Sequence, residues 1–337
     1  MLILGIESSC DETAGAVCKN GRIVSNVVLS QGVHQEFGGV VPEIASREHE
    51  SQINYIVDKT LQKANISYID INGIAVTYGA GLMGALLVGL NYAKGLSIAL
   101  NIPFIGVNHL EGHLYTSFIS YPDMKHPYLC LLVTGGHTQI WEVCSVGNYI
   151  LHSTTVDDAA GEAFDKGARI LGLSYPGGPE IEKMAENGNS QKYKFSMPEV
   201  KNSPLDFSFS GLKTALLYKY REMTKIEQKE NIHHLAASYQ EVILKCLLIH
   251  LQCVIEKTGI ELVSVVGGVA ANKRFREMAN LLTMDSQRDI FFPPMEYCTD
   301  NAAMIAMAGY EKLKVGTHSP LTLNANPNLA LNEGVIS

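Results

Sequence analysis

Short apolar runs alternate with turn residues along the start of the chain. Leu2–Ser8 is predicted as a buried strand that ends in small polar residues, and Ala14–Lys19 is predicted as a second strand. Asn20-Gly21, a strong hairpin signal, separates it from a third predicted strand, Arg22–Leu29. The pattern therefore predicts three antiparallel strands in succession.

The same pattern returns in the middle of the chain. Tyr128–Val133 is predicted as an apolar strand that runs into Thr134-Gly135-Gly136, and Thr138–Cys144 as a second strand. Gly147-Asn148 marks the next turn, and Tyr149–Val156 is the third predicted strand. Strand order and spacing thus match those of the first segment.

Two helices and two more strands follow each set of three strands. In the first half they are predicted at His49–Lys63, Gly73–Thr77, Leu82–Leu100 and Pro103–Val107. In the second half they are predicted at Leu235–Lys257, Leu262–Val266, Asn272–Leu282 and Asp289–Phe292. Each half is then β-β-β-α-β-α-β, which is the order of the ribonuclease-H-like unit.

The repeat predicts an α/β fold with duplicated ribonuclease-H-like lobes, in the actin-like ATPase (ASKHA) architecture with a ligand cleft between the lobes. The alternative is an unduplicated α/β protein whose elements align by chance. The predicted lobes are residues 1–120 and 121–337, and a helix at about 300–315 is expected to pack back on the first lobe. Residues 157–230 have no counterpart in the first half and form a predicted insertion.

Composition limits the classes of function. The chain has 337 residues, of which 46% are hydrophobic, so folded lobes are expected. The net charge of -8 argues against a stand-alone nucleic-acid binder, although a local basic patch remains compatible with it. Six basic residues form a candidate phosphate-binding strip or an ordinary solvated face: Lys192, Lys194, Lys201, Lys213, Lys219 and Arg221.

Cysteine usage and apolar runs predict a cytoplasmic protein. The seven cysteines are odd in number and form no CxxC motif, which favours reduced thiols over disulfides. Polar residues interrupt the most apolar stretches, Asn91 in one and Lys245 in another, so no membrane span is expected.

Four loops follow predicted strands and are rich in small residues. They are Glu7–Asp11, Gly79–Gly81, Thr134–Thr138 and Gly267–Asn272. Because glycine lets a backbone approach a ligand and helix starts attract phosphate, together they indicate a nucleotide site. A fifth loop, Tyr175–Pro179, precedes Glu182, which together with Asp165 is a candidate for either helix capping or ribose binding.

His109 and His113 are four residues apart, so on a helix their imidazoles share a face, as a chelating pair needs. Asp300 occupies the matching point of the second half, and pseudo-symmetry is expected to bring it across the cleft to them. Two histidines and a carboxylate suit Fe(II), with Zn(II) as the alternative and Cys298 as a rival ligand. Capping or core roles for the histidines stay open. Leu110 occupies the position where the HExxH motif of metallopeptidases has glutamate, which argues against peptidase chemistry.

Together these motifs resemble the tRNA N6-adenosine threonylcarbamoyltransferase family, called TsaD in bacteria. The resemblance runs from Gly5–Thr13 to Cys298–Ala306, with further signatures at Gly38–Glu43, His109–His113, Val133–Thr138, Asp157–Lys166, Phe207–Ala215 and Gly267–Asn272. Two positions depart from the family pattern. Ala80 stands where the family's GPGL loop has proline, and Glu182 stands where aspartate is common.

The resemblance implies a reaction, the transfer of threonylcarbamoyl from threonylcarbamoyl-AMP to N6 of adenosine 37 in tRNAs that read codons beginning with A, with release of AMP. It implies metal ligands at His109, His113 and Asp300. Implied adenylate contacts are Leu132, Val133, Thr134, Gly135, Gly136, Asp165, Gly178, Glu182 and Asn272. Implied partners are tRNA, a shorter TsaB-like paralogue that dimerises with the first lobe, and a P-loop TsaE-like ATPase.

The N6 amine of adenine is a weak nucleophile, so a positioned base would assist it. Asp11 or Glu12 in the first loop is the candidate. Two other functions stay open at this point. An actin-like kinase or ATPase would use Mg(II) and would need no histidine pair, and a non-catalytic nucleotide-binding protein would lack both the histidine pair and Asp300.

Overall fold

The computed structural model describes residues 1–37, 39–284 and 289–331, so Gly38 of the Gly38–Glu43 signature lies outside the described residues. The chain divides into two compact units. Unit 1 consists of Met1–Lys125, Ser145–Tyr149 and Pro293–Ser337. Unit 2 consists of His126–Cys144 and Ile150–Phe292.

Unit 1 contains a five-stranded sheet in the order β3-β2-β1-β4-β5. Its strands are β1 (Leu2–Glu7), β2 (Glu12–Lys19), β3 (Arg22–Ser30), β4 (Gly73–Gly79) and β5 (Phe104–Asn108). β1 pairs antiparallel with β2 and parallel with β4. The helices of this part of the chain are α1 (Pro42–Ala64), α2 (Met83–Leu100) and α3 (His109–Tyr115).

Unit 2 contains a second five-stranded sheet in the order β10-β9-β6-β7-β8. Its strands are β6 (Tyr128–Val133), β7 (Thr138–Ser145), β8 (Asn148–Thr154), β9 (Leu262–Val266) and β10 (Asp289–Phe291). The helices are α4 (Ala160–Leu171), α5 (Gly177–Ala185), α6 (Ser210–Arg221), α7 (Lys225–Thr258) and α8 (Lys273–Met284).

The two sheets have the same topology. Read from the third strand of each half, both follow the order third, second, first, fourth, fifth. The predicted duplication is confirmed by this match. Two helices start earlier than predicted for local reasons: Pro42 occupies the first turn of α1, where its missing N–H costs nothing, and Thr224 forms a capping box with Glu227 at the start of α7.

The last helix, α9 (Ala302–Lys314), packs against β1, β2 and β4 of unit 1. Asn301 starts it, because the side-chain oxygen of Asn301 accepts the backbone N–H of Met304 at 3.1 Å. The chain that leaves β10 therefore returns to unit 1, and residues just before α9 belong to that unit.

The core of unit 1 holds the carboxyl ends of its parallel strands in place. Leu4, Ile6, Ile74, Val76 and Phe104 are almost fully buried and belong to one hydrophobic cluster. Burial of each such side chain contributes roughly 1.5–3 kcal/mol, so the strand ends that carry the loops are firmly fixed.

Among the described residues, two helices are long and apolar enough to cross a membrane by length and composition, contrary to the expectation from their polar interruptions. In α7 the apolar window is 72% buried inside the fold, and in α2 it is 33% buried. Core helices of water-soluble folds pass the same test of length and composition.

Candidate metal centre and ligand loops

Helix α3 presents His109 and His113 on one face. The helix begins directly at the end of β5, because the side-chain oxygen of Asn108 accepts the backbone N–H of Leu110 at 2.9 Å. His109 is then the first helical residue, and His113 follows one turn later. The helical placement of the histidine pair is as predicted.

Asp300 reaches the pair because α3 packs closely on α9. A Cβ added to Gly112 would lie 2.7 Å from Cδ1 of Ile305, so glycine permits this approach of the two helices. Asp300 lies immediately before Asn301, the residue that caps α9. Gly112, which weakens α3 as an isolated helix, thus leaves room for the side chains of Ile305 and Met304 where α3 packs on α9.

Three ligand atoms converge on one point in unit 1. The Oδ1 atom of Asp300 lies 3.1 Å from Nε2 of His113 and 3.6 Å from Nε2 of His109. One ligand atom from each of the three residues lies within 4.8 Å of the others. The site is a possible metal centre formed within a single unit. This corrects the expectation that the carboxylate would come from the opposite lobe.

Glu7 and Ser9 contact the ring of His109 at Nδ1, whereas Nε2 is the nitrogen near Asp300. Nδ1 of His109 lies 3.2 Å from Oε2 of Glu7 and 3.1 Å from Oγ of Ser9. Glu7 is itself fixed, since Thr77 donates its hydroxyl to Oε2 at 2.6 Å. A carboxylate that accepts the Nδ1 proton leaves the Nε2 lone pair free for a metal ion, so the donor set fits a bound cation. The sequence pattern did not predict this pairing.

The charges around the site favour a cation. Burial opposes the charged imidazolium of His109, but the carboxylates of Asp300 and Glu7 outweigh this and raise the pKa of His109 to about 9. Burial also opposes ionisation of Glu7, yet the charge of His109 and hydrogen bonds from His109 and Ser9 keep the pKa of Glu7 below its ordinary value. A metal ion would therefore have to displace a proton at neutral pH.

The candidate bases Asp11 and Glu12 lie in the same acidic surroundings. Burial, followed by the negative charges of Asp300 and Asp11, raises the pKa of Glu12 to about 9. The structure thus brings Glu12 under the electrostatic influence of the candidate metal ligand Asp300.

The thiol of Cys298, the rival candidate ligand, contacts backbone carbonyl groups. Its thiol lies 3.8 Å from the carbonyl oxygen of Pro293 and 3.6 Å from that of Pro294. The group of metal-ligating side chains found among the described residues consists of His109, His113 and Asp300, without Cys298.

In unit 2, the glycine loop after β6 offers backbone atoms. The loop is closed by two hydrogen bonds: the N–H of Thr134 donates to the carbonyl of His137 at 2.9 Å, and the N–H of His137 donates to Oγ1 of Thr134 at 3.0 Å. Gly135 and Gly136 are exposed, and an added Cβ at either would meet open space. Leu132 and Val133 are fully buried strand residues, so a ligand at this loop would meet only their backbone.

The other predicted adenylate contacts lie on helices of unit 2 and already have structural partners. Asp165 accepts the N–H of Gly177, next to Gly178, at 2.7 Å, and burial raises the pKa of Asp165. Glu182 accepts the N–H of Lys273 at 2.7 Å, at the start of α8. Each carboxylate retains lone pairs for a second donor such as a ribose hydroxyl.

Asn272 has a capping role. Its Oδ1 accepts the N–H of Phe275 at 2.9 Å, and its Nδ2 donates to Oε1 of Gln240 at 2.7 Å. The side chain is therefore fixed at the start of α8, beside the carboxylate of Glu182. Its contact with a ligand remains a prediction.

Half of the candidate basic strip lines one surface groove of unit 2. Lys192, Lys194 and Lys219 border a cavity of about 420 Å³ together with Tyr193 and Tyr218. Tyr218 is 62% exposed, and Lys219 lies 5.9 Å from the ring centre of Tyr193. Basic side chains can contact phosphates and aromatic rings can stack on bases, so the groove has the chemistry of a site for single-stranded nucleic acid. Glu222 also borders the groove.

Comparison with known proteins identifies close relatives. The family model of tRNA N6-adenosine threonylcarbamoyltransferases matches residues 22–307. A protein of that name from Kosmotoga olearia is 49% identical over 332 residues, covering 98% of this chain and 99% of the relative. One from Thermosipho melanesiensis is 50% identical over 332 residues, covering 98% and 100%.

Solved structures support the fold. The activator of 2-hydroxyisocaproyl-CoA dehydratase from Clostridium difficile has a TM-score of 0.52 at 18% identity, covering 94% of this chain and 96% of that one. HypF from T. kodakarensis has a TM-score of 0.62 at 13% identity, covering 93% of this chain and 47% of its own. These actin-like neighbours, together with the matched sheet orders, confirm the predicted fold class.

Proposed function

Because the chain belongs to the tRNA N6-adenosine threonylcarbamoyltransferase family, we propose that it transfers threonylcarbamoyl from threonylcarbamoyl-AMP to N6 of adenosine 37 in tRNAs reading codons that begin with A. It is a transferase, as its relatives are named. One observation carries the proposal: a chain that matches these relatives over 98% of its length also brings His109, His113 and Asp300 together.

The proposed reaction exchanges one bond to the carbamoyl carbon for another. The N6 amine attacks that carbon, the bond to the adenylate phosphate breaks, AMP leaves, and N6 loses a proton. A metal ion at His109, His113 and Asp300, with Fe(II) favoured by the donor set and Zn(II) as the alternative, would supply Lewis acidity. The backbone N–H groups of Gly135 and Gly136 would stabilise the phosphate of the leaving adenylate. Asp165 and Glu182 would accept ribose hydroxyls through their remaining lone pairs.

We assign removal of the N6 proton to Asp11 or Glu12. A carboxyl whose pKa is raised toward 9, as that of Glu12 is, is a stronger base once ionised than an ordinary carboxylate. Transfer by Asp11→Asn and Glu12→Gln, compared at equal metal content, tests this assignment. Wild-type transfer rates in both variants would refute it.

The proposed partners follow from the family and from the surface. The helix α2 exposes Met83, Leu87 and Ile98 at 48%, 41% and 65% of their surfaces. An apolar helix face of this kind supports docking of the shorter TsaB-like paralogue on unit 1. The groove bordered by Lys192, Lys194 and Lys219 is the proposed contact for tRNA. A TsaE-like ATPase and cytoplasmic action complete the proposal.

Nucleoside mass spectrometry tests the proposed function directly. Cells depleted of the protein are expected to lose threonylcarbamoyladenosine from tRNA and to regain it with the wild-type gene. A gene that encodes Asp300→Asn is expected not to restore the nucleoside, whereas a gene that encodes the exposed control Glu296→Gln is expected to restore it. Persistence of threonylcarbamoyladenosine in the depleted cells would overturn the assignment.

A further inference from the structure

The back of α3 carries a buried ion pair. Glu111 lies about 200° around the helix from His109, because each residue turns the helix by about 100°. Its carboxylate therefore points away from the face that carries the two imidazoles. The side chain of Glu111 is only 3% exposed and that of its partner Lys312 is 14% exposed.

Both oxygens of this carboxylate are engaged. Nζ of Lys312 lies 2.6 Å from Oε2 of Glu111. The hydroxyl of Tyr149 donates to Oε1 of Glu111 at 2.7 Å, and the backbone N–H of Gly147 donates to the Tyr149 oxygen at 3.1 Å. Two charge-assisted contacts, one to each carboxylate oxygen, define the direction of the side chain.

The pair joins the two elements that supply the metal ligands. Glu111 stands between His109 and His113 on α3, and Lys312 stands on α9, the helix that begins just after Asp300. The helix α3 has seven residues, too few for an isolated helix to be stable in water. Tertiary contacts must therefore set its rotation, and this rotation determines where the two imidazoles point.

We propose that Glu111 and Lys312 are positioning residues, a clamp that fixes the rotation of α3 so that His109 and His113 meet Asp300 at metal-binding distance. The clamp rests on the metal site proposed above and concerns its geometry. Outer partners of metal ligands typically contribute 10–100-fold to metal affinity. Loss of the clamp is expected to weaken metal binding by about tenfold, the lower end of that range, because Glu111 acts through the helix.

An adjoining cavity makes the clamp accessible to a chemical test. A space of about 310 Å³ is bordered by Asn108, Glu111, Tyr149 and Lys312, among others. Truncation in Lys312→Ala would extend this cavity beside the carboxylate of Glu111. A small alkylammonium ion could then occupy the place of the lost side chain and restore the charge.

Titration of the metal-free full-length chain with Co(II), followed by its visible absorption, measures the effect. Lys312→Ala is expected to bind Co(II) about tenfold more weakly. Added n-propylammonium is expected to restore the affinity, and Lys312→Arg to retain it. The neighbouring exposed lysine gives the matched control, Lys314→Ala, which should bind as the unaltered chain does.

Several results would overturn the clamp. Unaltered Co(II) affinity in Lys312→Ala is one, and restoration by uncharged 1-propanol as effective as by the ammonium ion is another. If Lys312→Ala does not fold, Glu111→Gln combined with Lys312→Met removes both charges and is expected to fold yet still bind about tenfold more weakly. Parental affinity in that double variant would refute positioning. Failure of the unaltered chain to bind Co(II) would refute the proposed metal site and the clamp with it.

Discussion

Unit 1 and unit 2 are built on the same five-stranded sheet but offer different chemistry. In unit 1 the segment after the fifth strand becomes α3, which presents imidazoles on one face. In unit 2 the loop after the first strand presents exposed backbone at Gly135 and Gly136. Unit 1 thus has a site made of side chains, whereas the candidate adenylate loop of unit 2 is made of main-chain groups.

The segment after the fifth strand shows how the two halves diverged in use. After β5 the chain stays in unit 1, and after β10 it also joins unit 1, where Asp300 precedes α9. Both equivalent segments therefore contribute to one candidate metal centre. The two halves share one sheet topology, whereas the three candidate metal ligands all lie in unit 1.

The largest effect is expected from removing a ligand in unit 1. Asp300→Asn should weaken metal binding by more than about 100-fold, because a ligand matters more than an outer partner, and should abolish transfer. Binding of an adenylate analogue to unit 2 should persist. Metal analysis and calorimetry measure the two properties, with Glu296→Gln as the exposed control. If Asp300→Asn kept its metal, the proposed contrast between a side-chain metal site in unit 1 and a backbone ligand loop in unit 2 would be wrong.

Substitutions at two glycines of unit 2 are expected to have different effects, one on adenylate affinity and the other on the stability of the fold. Gly135→Val adds a side chain into open space and should reduce adenylate affinity about tenfold by covering backbone donors, with little change in stability. Gly161→Val should instead destabilise the fold, since its Cβ would lie 2.5 Å from the carbonyl oxygen of Thr134. Calorimetry and thermal unfolding distinguish them. Equal adenylate affinity in Gly135→Val and wild type would contradict a backbone site.

Part of the fold and part of the candidate site were predictable from the sequence. The strands were predictable because their apolar runs are short and end at glycine or asparagine turns, and the histidine pair because 109 and 113 share a helical face. Symmetry alone placed Asp300 in the opposite lobe. The separate expectation that a helix at about 300–315 packs back on the first lobe agrees with the observed packing of α9 on the first sheet, but it was not combined with the metal site.

The hydrophobic pattern also could not predict the residues that contact the candidate metal ligands and the helix that carries them. Glu7 contacts His109 although the two are 102 residues apart, and Lys312 contacts Glu111 across 201 residues. A glutamate at the end of an apolar strand was the available signal for Glu7, since buried glutamates are rare unless paired. Nothing local to Lys312 distinguished it from its neighbour Lys314.

A smaller effect is expected in the groove of unit 2. Lys194→Glu combined with Lys219→Glu should weaken tRNA binding several-fold and lower its salt dependence by about one unit of slope per lost phosphate contact. Metal affinity in unit 1 should stay unchanged. Filter binding at several salt concentrations measures this, with Lys245→Glu as an exposed control outside the groove. An equal loss in the control would indicate a general charge effect.

The last prediction concerns pH and the acidic surroundings of the candidate metal site. In the folded metal-free chain His109 and Glu12 each have a pKa of about 9, above the ordinary values of 6.5 and 4.5. Between about pH 7 and pH 9 the folded chain holds protons that the unfolded chain has released, so stability falls as pH rises, by at most about 1.4 kcal/mol per pH unit for each group.

Glu12→Gln removes one of these two contributions. Urea unfolding with a chelator present should show a flatter loss of stability with rising pH in Glu12→Gln than in the wild type. The exposed control Glu50→Gln should keep the wild-type slope. Equal slopes of stability against pH in all three proteins would show that Glu12 ionises normally. The inferred effect of Asp300 on the pKa of Glu12 would then be wrong.

The most direct measurement is an anomalous difference map, recorded at the iron edge, of crystals loaded with Fe(II). The account predicts one peak in unit 1, at about 2.0–2.2 Å from a nitrogen of His109, a nitrogen of His113 and an oxygen of Asp300, by analogy with other metal–nitrogen and metal–oxygen bonds. A peak bound by Cys298, or a fully loaded crystal in which these three residues bind no metal, would contradict it.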